Sequence, residues 1–187
     1  MTTDIETLLE RIFQKWIIEE IPNISRENTS YLRSYIKENN VIHILEIGTA
    51  HGYSTINFAD EVNTKGWSID TIEFSQPSYE TAGEHIEQSG FANISQYFWD
   101  ARDIIPHLNK KYDLIFIDGM KKASLQFLLL AQKKISIQGT IIIDDVIKFR
   151  HKMEDLYTYL HKHNINYEIV QIDSDDGIMI IKNIPLH

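Results

Sequence analysis

The stretch Leu45-Glu46-Ile47-Gly48-Thr49-Ala50-His51-Gly52-Tyr53-Ser54 decides the fold. It joins a β-branched run over residues 41–46 to a helical pattern over 53–63, and two glycines punctuate the joint. Glycine lets the backbone turn sharply and lets a ligand come close to it. The loop reads ExGxAxG. It lacks the GxGxxG spacing that brings a helix N-terminus onto a dinucleotide pyrophosphate. The acid before Gly48 would repel a pyrophosphate and suits a cationic ammonium or sulfonium ligand. A plain strand-to-helix turn with a surface acid has the same appearance.

On the C-terminal side of this loop, short β-branched runs alternate with helical patterns. Strands are expected over 41–46, 67–73, 94–98, 112–117, 140–143, 167–172 and 177–182, and helices over 53–63, 77–89, 102–108, 121–134 and 149–163. That alternation implies a mostly parallel sheet covered on both faces. The last two strands have only Asp173, Ser174, Asp175 and Asp176 between them, too few for a crossover, so they form an antiparallel hairpin. With right-handed crossovers before it, the expected strand order is 3-2-1-4-5-7-6, the hairpin lying at one edge. On the N-terminal side, Ile5, Leu8, Leu9, Ile12, Phe13, Trp16 and Ile17 make one apolar helical stripe. Pro22 ends that helix, and Ser25 is the N-cap of a second helix reaching about Glu38. No linker or repeat divides the chain, so residues 1–187 are expected to form one domain, with N-terminal helices in 1–40 and the α/β core in 41–187.

A chain of 187 residues with 43% apolar and 24% charged residues is ordinary for a globular domain. It has no cysteine, which leaves oxygen or imidazole as metal ligands. The start carries no signal-peptide pattern, and no apolar run approaches the ~18 residues of a membrane span. The expected location is the cytoplasm, without membrane attachment. The net charge of −9 argues against tight nonspecific binding to nucleic acid.

Ligands of a doubly wound sheet bind where the strands end, and the chemistry-bearing residues follow the expected strands. Glu73 closes the second. A carboxylate there accepts from both ribose hydroxyls, a device shared with NAD-binding folds, so Glu73 alone does not choose the cofactor. After the third strand come Asp100, Ala101, Arg102 and Asp103, which either face an adenine edge or cap the next helix. The fourth strand ends in Ile117-Asp118-Gly119-Met120-Lys121-Lys122 and the fifth in Ile143-Asp144-Asp145-Val146. Ionised side by side, these carboxylates repel, and a hard divalent cation with oxygen ligands resolves the conflict. Helix capping is the plainer alternative.

LEIGTAHGYSTINFA resembles the first cofactor motif of the catechol and caffeoyl-coenzyme-A type O-methyltransferases, and Asp103-Ile104-Ile105-Pro106-His107-Leu108 is similar to the catechol enzymes' helix after the adenine loop. FIDGMKK resembles the family's F-[IL]-D-x-x-K, and GTIIIDDV its G-x-[IL]-[IL]-x-D-N-V. The resemblance runs from about Val41 to Lys182. It implies a Rossmann-like methyltransferase fold of class α/β and S-adenosylmethionine as cofactor. Glu46, Gly48, Tyr53 and Ser54 would hold the methionine moiety, together with Asp118. Glu73 would hold the ribose, and Asp100, Ala101 and Arg102 the adenine region. Asp118, Asp144 and Asp145 would bind the metal, Mg2+ by preference, with Ca2+ or Mn2+ as alternatives. Asp145 stands where the family has asparagine; a one-residue slip would put Val146 there instead. Lys121 would be the general base, its pKa depressed by the nearby cation.

The activity so implied is methyl transfer to a hydroxyl of a small catechol-like or vicinal-diol acceptor. A tRNA hydroxylated-base methyltransferase is the alternative, followed by a nucleotide-binding dehydrogenase or a noncatalytic nucleoside-binding module. The short N-terminal part leaves the acceptor pocket open or completed by a second subunit, as in a homodimer.

Overall fold

The computed structural model describes residues 4–19, 24–62, 66–172 and 176–183. The sheet has seven strands in the order β3-β2-β1-β4-β5-β7-β6, as expected from the connections. These are β1 (His43–Ile47), β2 (Ser68–Glu73), β3 (Ile94–Phe98), β4 (Tyr112–Ile117), β5 (Ile135–Ile143), β6 (Glu168–Val170) and β7 (Ile178–Lys182). β1 lies between β2 and β4, parallel to both, with Leu45 opposite Asp70 and Ile115. β7 alone runs against its neighbours, pairing Ile141 with Ile181 and Ile169 with Met179.

The period of two along each strand divides the core between the faces. Leu45, Ile47, Ile115, Ile117, Ile141 and Ile143 point to one side. There they meet α5 (Ala101–Ile104), α6 (Ser124–Gln132) and α7 (Glu154–Lys162). Ile44, Leu114, Phe116 and Ile142 point to the other, against α1 (Ile5–Glu19), α2 (Arg26–Glu38) and α3 (Tyr53–Glu61). Central strands buried on both faces are unbroken apolar runs, and these isoleucine-rich segments fit that rule. α4 (Gln76–Ser89) carries the β2–β3 crossover.

α2 is moored to β5 at both ends. The Tyr35 hydroxyl shares a 2.7 Å hydrogen bond with Thr140 near the start of the strand's buried half. Asn28 reaches Asp144 just past its end. Ser25 is the N-cap foreseen, accepting from the Asn28 N–H at 3.1 Å.

Several boundaries move. β5 begins at Ile135, five residues before the expected start at 140, because its first part pairs with Tyr112 across a register shift. The expected helices at 102–108, 121–134 and 149–163 each split into a short 3-10 turn and an α-helix; Pro106 lies in the first of these turns. β6 and β7 form the expected antiparallel hairpin, but residues 171–177 connect them rather than 173–176, and 173–175 lie outside the described residues. Pro22 is outside them as well. No described helix is long and apolar enough to cross a membrane.

Candidate active site

A cleft of about 960 Å³ opens beyond the C-terminal ends of β1 to β5. Its size is that of a small-molecule site. The loop after β1 is pressed between its neighbours: Gly48 N–H donates to Ile72 O at 2.9 Å, and Asp118 N–H to Ile47 O at 2.9 Å. Gly48 has φ +103°, and a Cβ there would lie 2.4 Å from the Asp118 carbonyl oxygen. The position therefore demands glycine. Gly52, at φ +83°, starts α3.

Glu46 does not face the cleft. It is fully buried, and the hydroxyls of Ser54, Thr55 and Thr71 all donate to its carboxylate. Burial pushes its pKa up to about 7, against hydroxyl bonds that favour the ionised form. Ser54 is thus turned toward Glu46, and Tyr53 packs 5.5 Å from the Phe13 ring. Neither stands in the cleft wall, whereas Gly48 and Ala50 of the same loop do. The strand's alternation turns the Glu46 side chain toward these hydroxyls, while the loop that follows it borders the cleft.

Glu73 does line the cleft. Its two carboxylate oxygens accept the backbone N–H groups of Ala50 and Ser75, each at 2.8 Å, which fixes it at the mouth of two loops. Asp100 serves as a helix cap at the edge of the cleft. It caps α5 by accepting the Arg102 N–H at 2.9 Å, and with Ala101 it borders the cleft. The Arg102 guanidinium bonded to it holds the Asp100 carboxyl below the usual carboxylate range. Arg102 itself turns away, to Asp100 and to Gln126 at 2.9 Å.

Asp118, Lys121, Asp144 and Asp145 converge on the opposite wall. Lys121 Nζ lies 2.6 Å from Asp118 Oδ1 and 2.7 Å from Asp145 Oδ2. Asp144 is 3% exposed and accepts from the Asn28 amide at 3.3 Å and from the Asp145 N–H at 2.9 Å. Burial, then the charge of Asp118, pushes Asp144 well above the usual carboxylate range. Burial also raises Asp118, although Lys121 opposes the shift. For Lys121, burial favours the neutral amine, but the charges of Asp118, Asp145 and Asp144 more than offset it, and the pKa rises. The three acids thus favour the ammonium form of Lys121. Val146 is fully buried in the apolar core, while Asp144 and Asp145 line the cleft.

The donor chemistry of this wall suits a hard divalent ion. Among the described residues, however, no three acidic or histidine side chains stand close enough to hold a metal, and Lys121 lies between Asp118 and Asp145. Beside it, the carbonyl Oδ1 of Asn28 is buried without a hydrogen-bond partner. As these side chains stand, they do not form a metal site.

Asn28 and Asp176 escaped the sequence reading. Asp176 is 4% exposed, and its Oδ1 accepts from the N–H groups of Ile147, Lys148 and Gly177 at 2.8, 3.2 and 2.7 Å. It thereby shapes the loop that follows Asp145. No local pattern marks either residue. The rim is apolar, with Ile17, Phe74, Trp99 and Met120 each about half exposed or more. Trp16 both lines the cleft and stacks edge-on to Phe13 at 4.8 Å.

A family model described as Methyltransferase domain matches residues 45–146, from β1 to the loop after β5. The chain belongs to that methyltransferase-domain family. Among curated relatives, this methyltransferase domain is 30% identical over 107 residues to a catechol O-methyltransferase of Mycobacterium tuberculosis, covering 56% of this chain and 48% of that one. It is 34% identical over 112 residues to the catechol O-methyltransferase of Niastella koreensis, covering 57% and 50%. The chain thus spans about half the length of these relatives. A solved structure of a putative caffeoyl-CoA O-methyltransferase from Staphylococcus aureus superposes with a TM-score of 0.82 at 26% identity, covering 93% of this chain and 91% of that one. The O-methyltransferase TomG from Streptomyces achromogenes, solved in complex with SAM, shares the fold at 0.85 and 21% identity, covering 94% and 89%.

Proposed function

We propose that this methyltransferase domain transfers the methyl group of S-adenosylmethionine to a hydroxyl oxygen of a small catechol-like or vicinal-diol acceptor, assisted by a divalent cation such as Mg2+. The observation that carries the reading is the meeting of Asp118, Lys121, Asp144 and Asp145 on one wall of a cleft whose other wall holds Glu73 and Asp100. The catechol O-methyltransferase relatives support the acceptor class.

Glu73 accepts the ribose hydroxyls with the lone pairs its two backbone donors leave free. Asp100 and the Ala101 backbone border the adenine, and the apolar rim covers the flat faces of cofactor and acceptor. Asp118, Asp144 and Asp145 would hold the cation, which when bound supplies Lewis acidity to the acceptor hydroxyls. To act as base, Lys121 would first have to lose one proton to solvent; its neutral amine would then take the acceptor's hydroxyl proton, returning to the ammonium that the surrounding acids favour. The acceptor oxygen attacks the sulfonium methyl in line. An O–CH3 bond forms as the S–CH3 bond breaks, and the electron pair stays on sulfur as S-adenosylhomocysteine. Opposite charges neutralise in this step, so the protein's main contribution is approach and orientation.

A screen of methyl transfer to candidate diols, with Mg2+ and with excess chelator, tests this reading. Transfer to a vicinal diol that stops on chelation is the expected result. Transfer undiminished in chelator would sink the cation's part, and methylation of nitrogen or carbon acceptors only would sink the acceptor class.

A further inference from the structure

We propose that Trp99 is an aromatic seat for the cofactor's adenine ring, held at the cleft by a backbone conformation that glycine alone adopts without strain. The inference deepens the reading of this cleft as an S-adenosylmethionine site and rests on it.

Trp99 has φ +146°, in a region that the clash of Cβ with the backbone closes to most side chains. The connection explains the bend. Trp99 N–H still donates to Glu73 O at 3.0 Å, one residue beyond the Glu73–Phe98 pair that ends the β2–β3 ladder. The next residue, Asp100, already caps α5. The chain therefore leaves the sheet and enters the helix within one residue. Glycine would make that turn freely. This chain places its largest kind of side chain there instead, and leaves it 55% exposed on the cleft wall. Such strain costs energy and persists only where the surrounding structure imposes it, which is the mark of functional positions.

The surroundings of the indole match a purine. Asp100 and Ala101, the residues read as bordering adenine, follow it in the chain, and Glu73, read as the ribose partner, ends the neighbouring strand. Phe98 meets the indole edge-on at 5.7 Å, and Tyr79 packs on Phe98 at 5.4 Å, so the ring is supported within the protein. A supported ring with half its surface open is what stacking on a base needs. Stacking engages the flat face of the base and adds affinity, while the polar groups on the base edge are left to Asp100 and Ala101.

S-adenosylhomocysteine binding, followed by calorimetry and by tryptophan emission, tests the proposal together with thermal melting of the free chain. Trp99→Ala should weaken S-adenosylhomocysteine by about tenfold, within the range for loss of one base–aromatic stack, and Trp99→Phe should recover most of that loss. S-adenosylhomocysteine should quench the emission of the wild type and of Trp16→Phe, but not that of Trp99→Phe. Trp99→Gly should bind as weakly as Trp99→Ala and melt above it, because the two differ only in the Cβ that this φ opposes. Wild type that fails to bind S-adenosylhomocysteine would overturn the cofactor reading and this inference together. Wild type that binds, with Trp99→Ala binding equally well, with a quench that survives in Trp99→Phe, or with Trp99→Gly melting no higher than Trp99→Ala, would overturn this inference alone.

Discussion

At the scale of single residues, two neighbouring lysines separate role from charge. Lys121 is drawn between Asp118 and Asp145, while Lys122 is absent from the cleft wall. Lys121→Ala should lower turnover by roughly 10²–10⁴-fold, the usual contribution of a positioned base. The loss should shrink at high pH, where the acceptor ionises unaided. Mn2+ affinity should not fall with it, because the substitution removes the ammonium that competes for the carboxylates. Lys122→Ala should change little, and equal effects of the two would remove Lys121 from the chemistry. Glu46 provides a stability test. Its folded pKa of about 7 lies above the ordinary 4.5. The folded state therefore binds the proton more tightly, and stability falls as pH rises from about 4.5 to 7. The ceiling on that loss is on the order of 3 kcal/mol. Glu46→Gln cannot ionise, so its urea midpoint should decline less over this window than the wild type's. Parallel declines would show that Glu46 does not drive the dependence.

At the scale of elements, the helix that supplies Asn28 is the informative one. Ser25→Ala removes the cap of α2 and should cost about 1 kcal/mol. A urea titration with unchanged slope would register the loss, and an unchanged midpoint would show that packing alone fixes the helix start. The strands were legible in the sequence because isoleucine-rich runs between helical stretches mark a parallel sheet wherever they occur. The 3-10 turns at 121–123 and 150–152 were not, because apolar spacing barely distinguishes a 3-10 turn from the α-helix that follows it. Nor was the early start of β5: Ile135 and Ser136 owe their extended state to Tyr112 on a neighbouring strand.

At the scale of the whole molecule, the cleft gathers the ends of five strands, and a ligand filling it should stabilise the folded chain by mass action. S-adenosylhomocysteine should raise the melting temperature with its concentration, while NAD should not. Glu73→Ala should weaken the former by about 1–3 kcal/mol, the range for hydrogen bonds to a charged group. A larger shift with NAD would overturn the cofactor assignment. The sequence by itself determined the strand order, the antiparallel hairpin and the loops that carry the chemistry. Those follow from periodicity and connection length, which are properties of neighbouring residues. Only the tertiary structure decided which way the acids face. Glu46 sits at the head of the most informative loop, yet strand alternation buries it among Ser54, Thr55 and Thr71. Lys121 is ion-paired with Asp118 and Asp145 because the ends of β4 and β5 bring those carboxylates together around it. Asn28 entered the site from the far end of the chain. Burial and pairing depend on segments that meet only when the sheet and its helices pack, and no local pattern encodes that meeting.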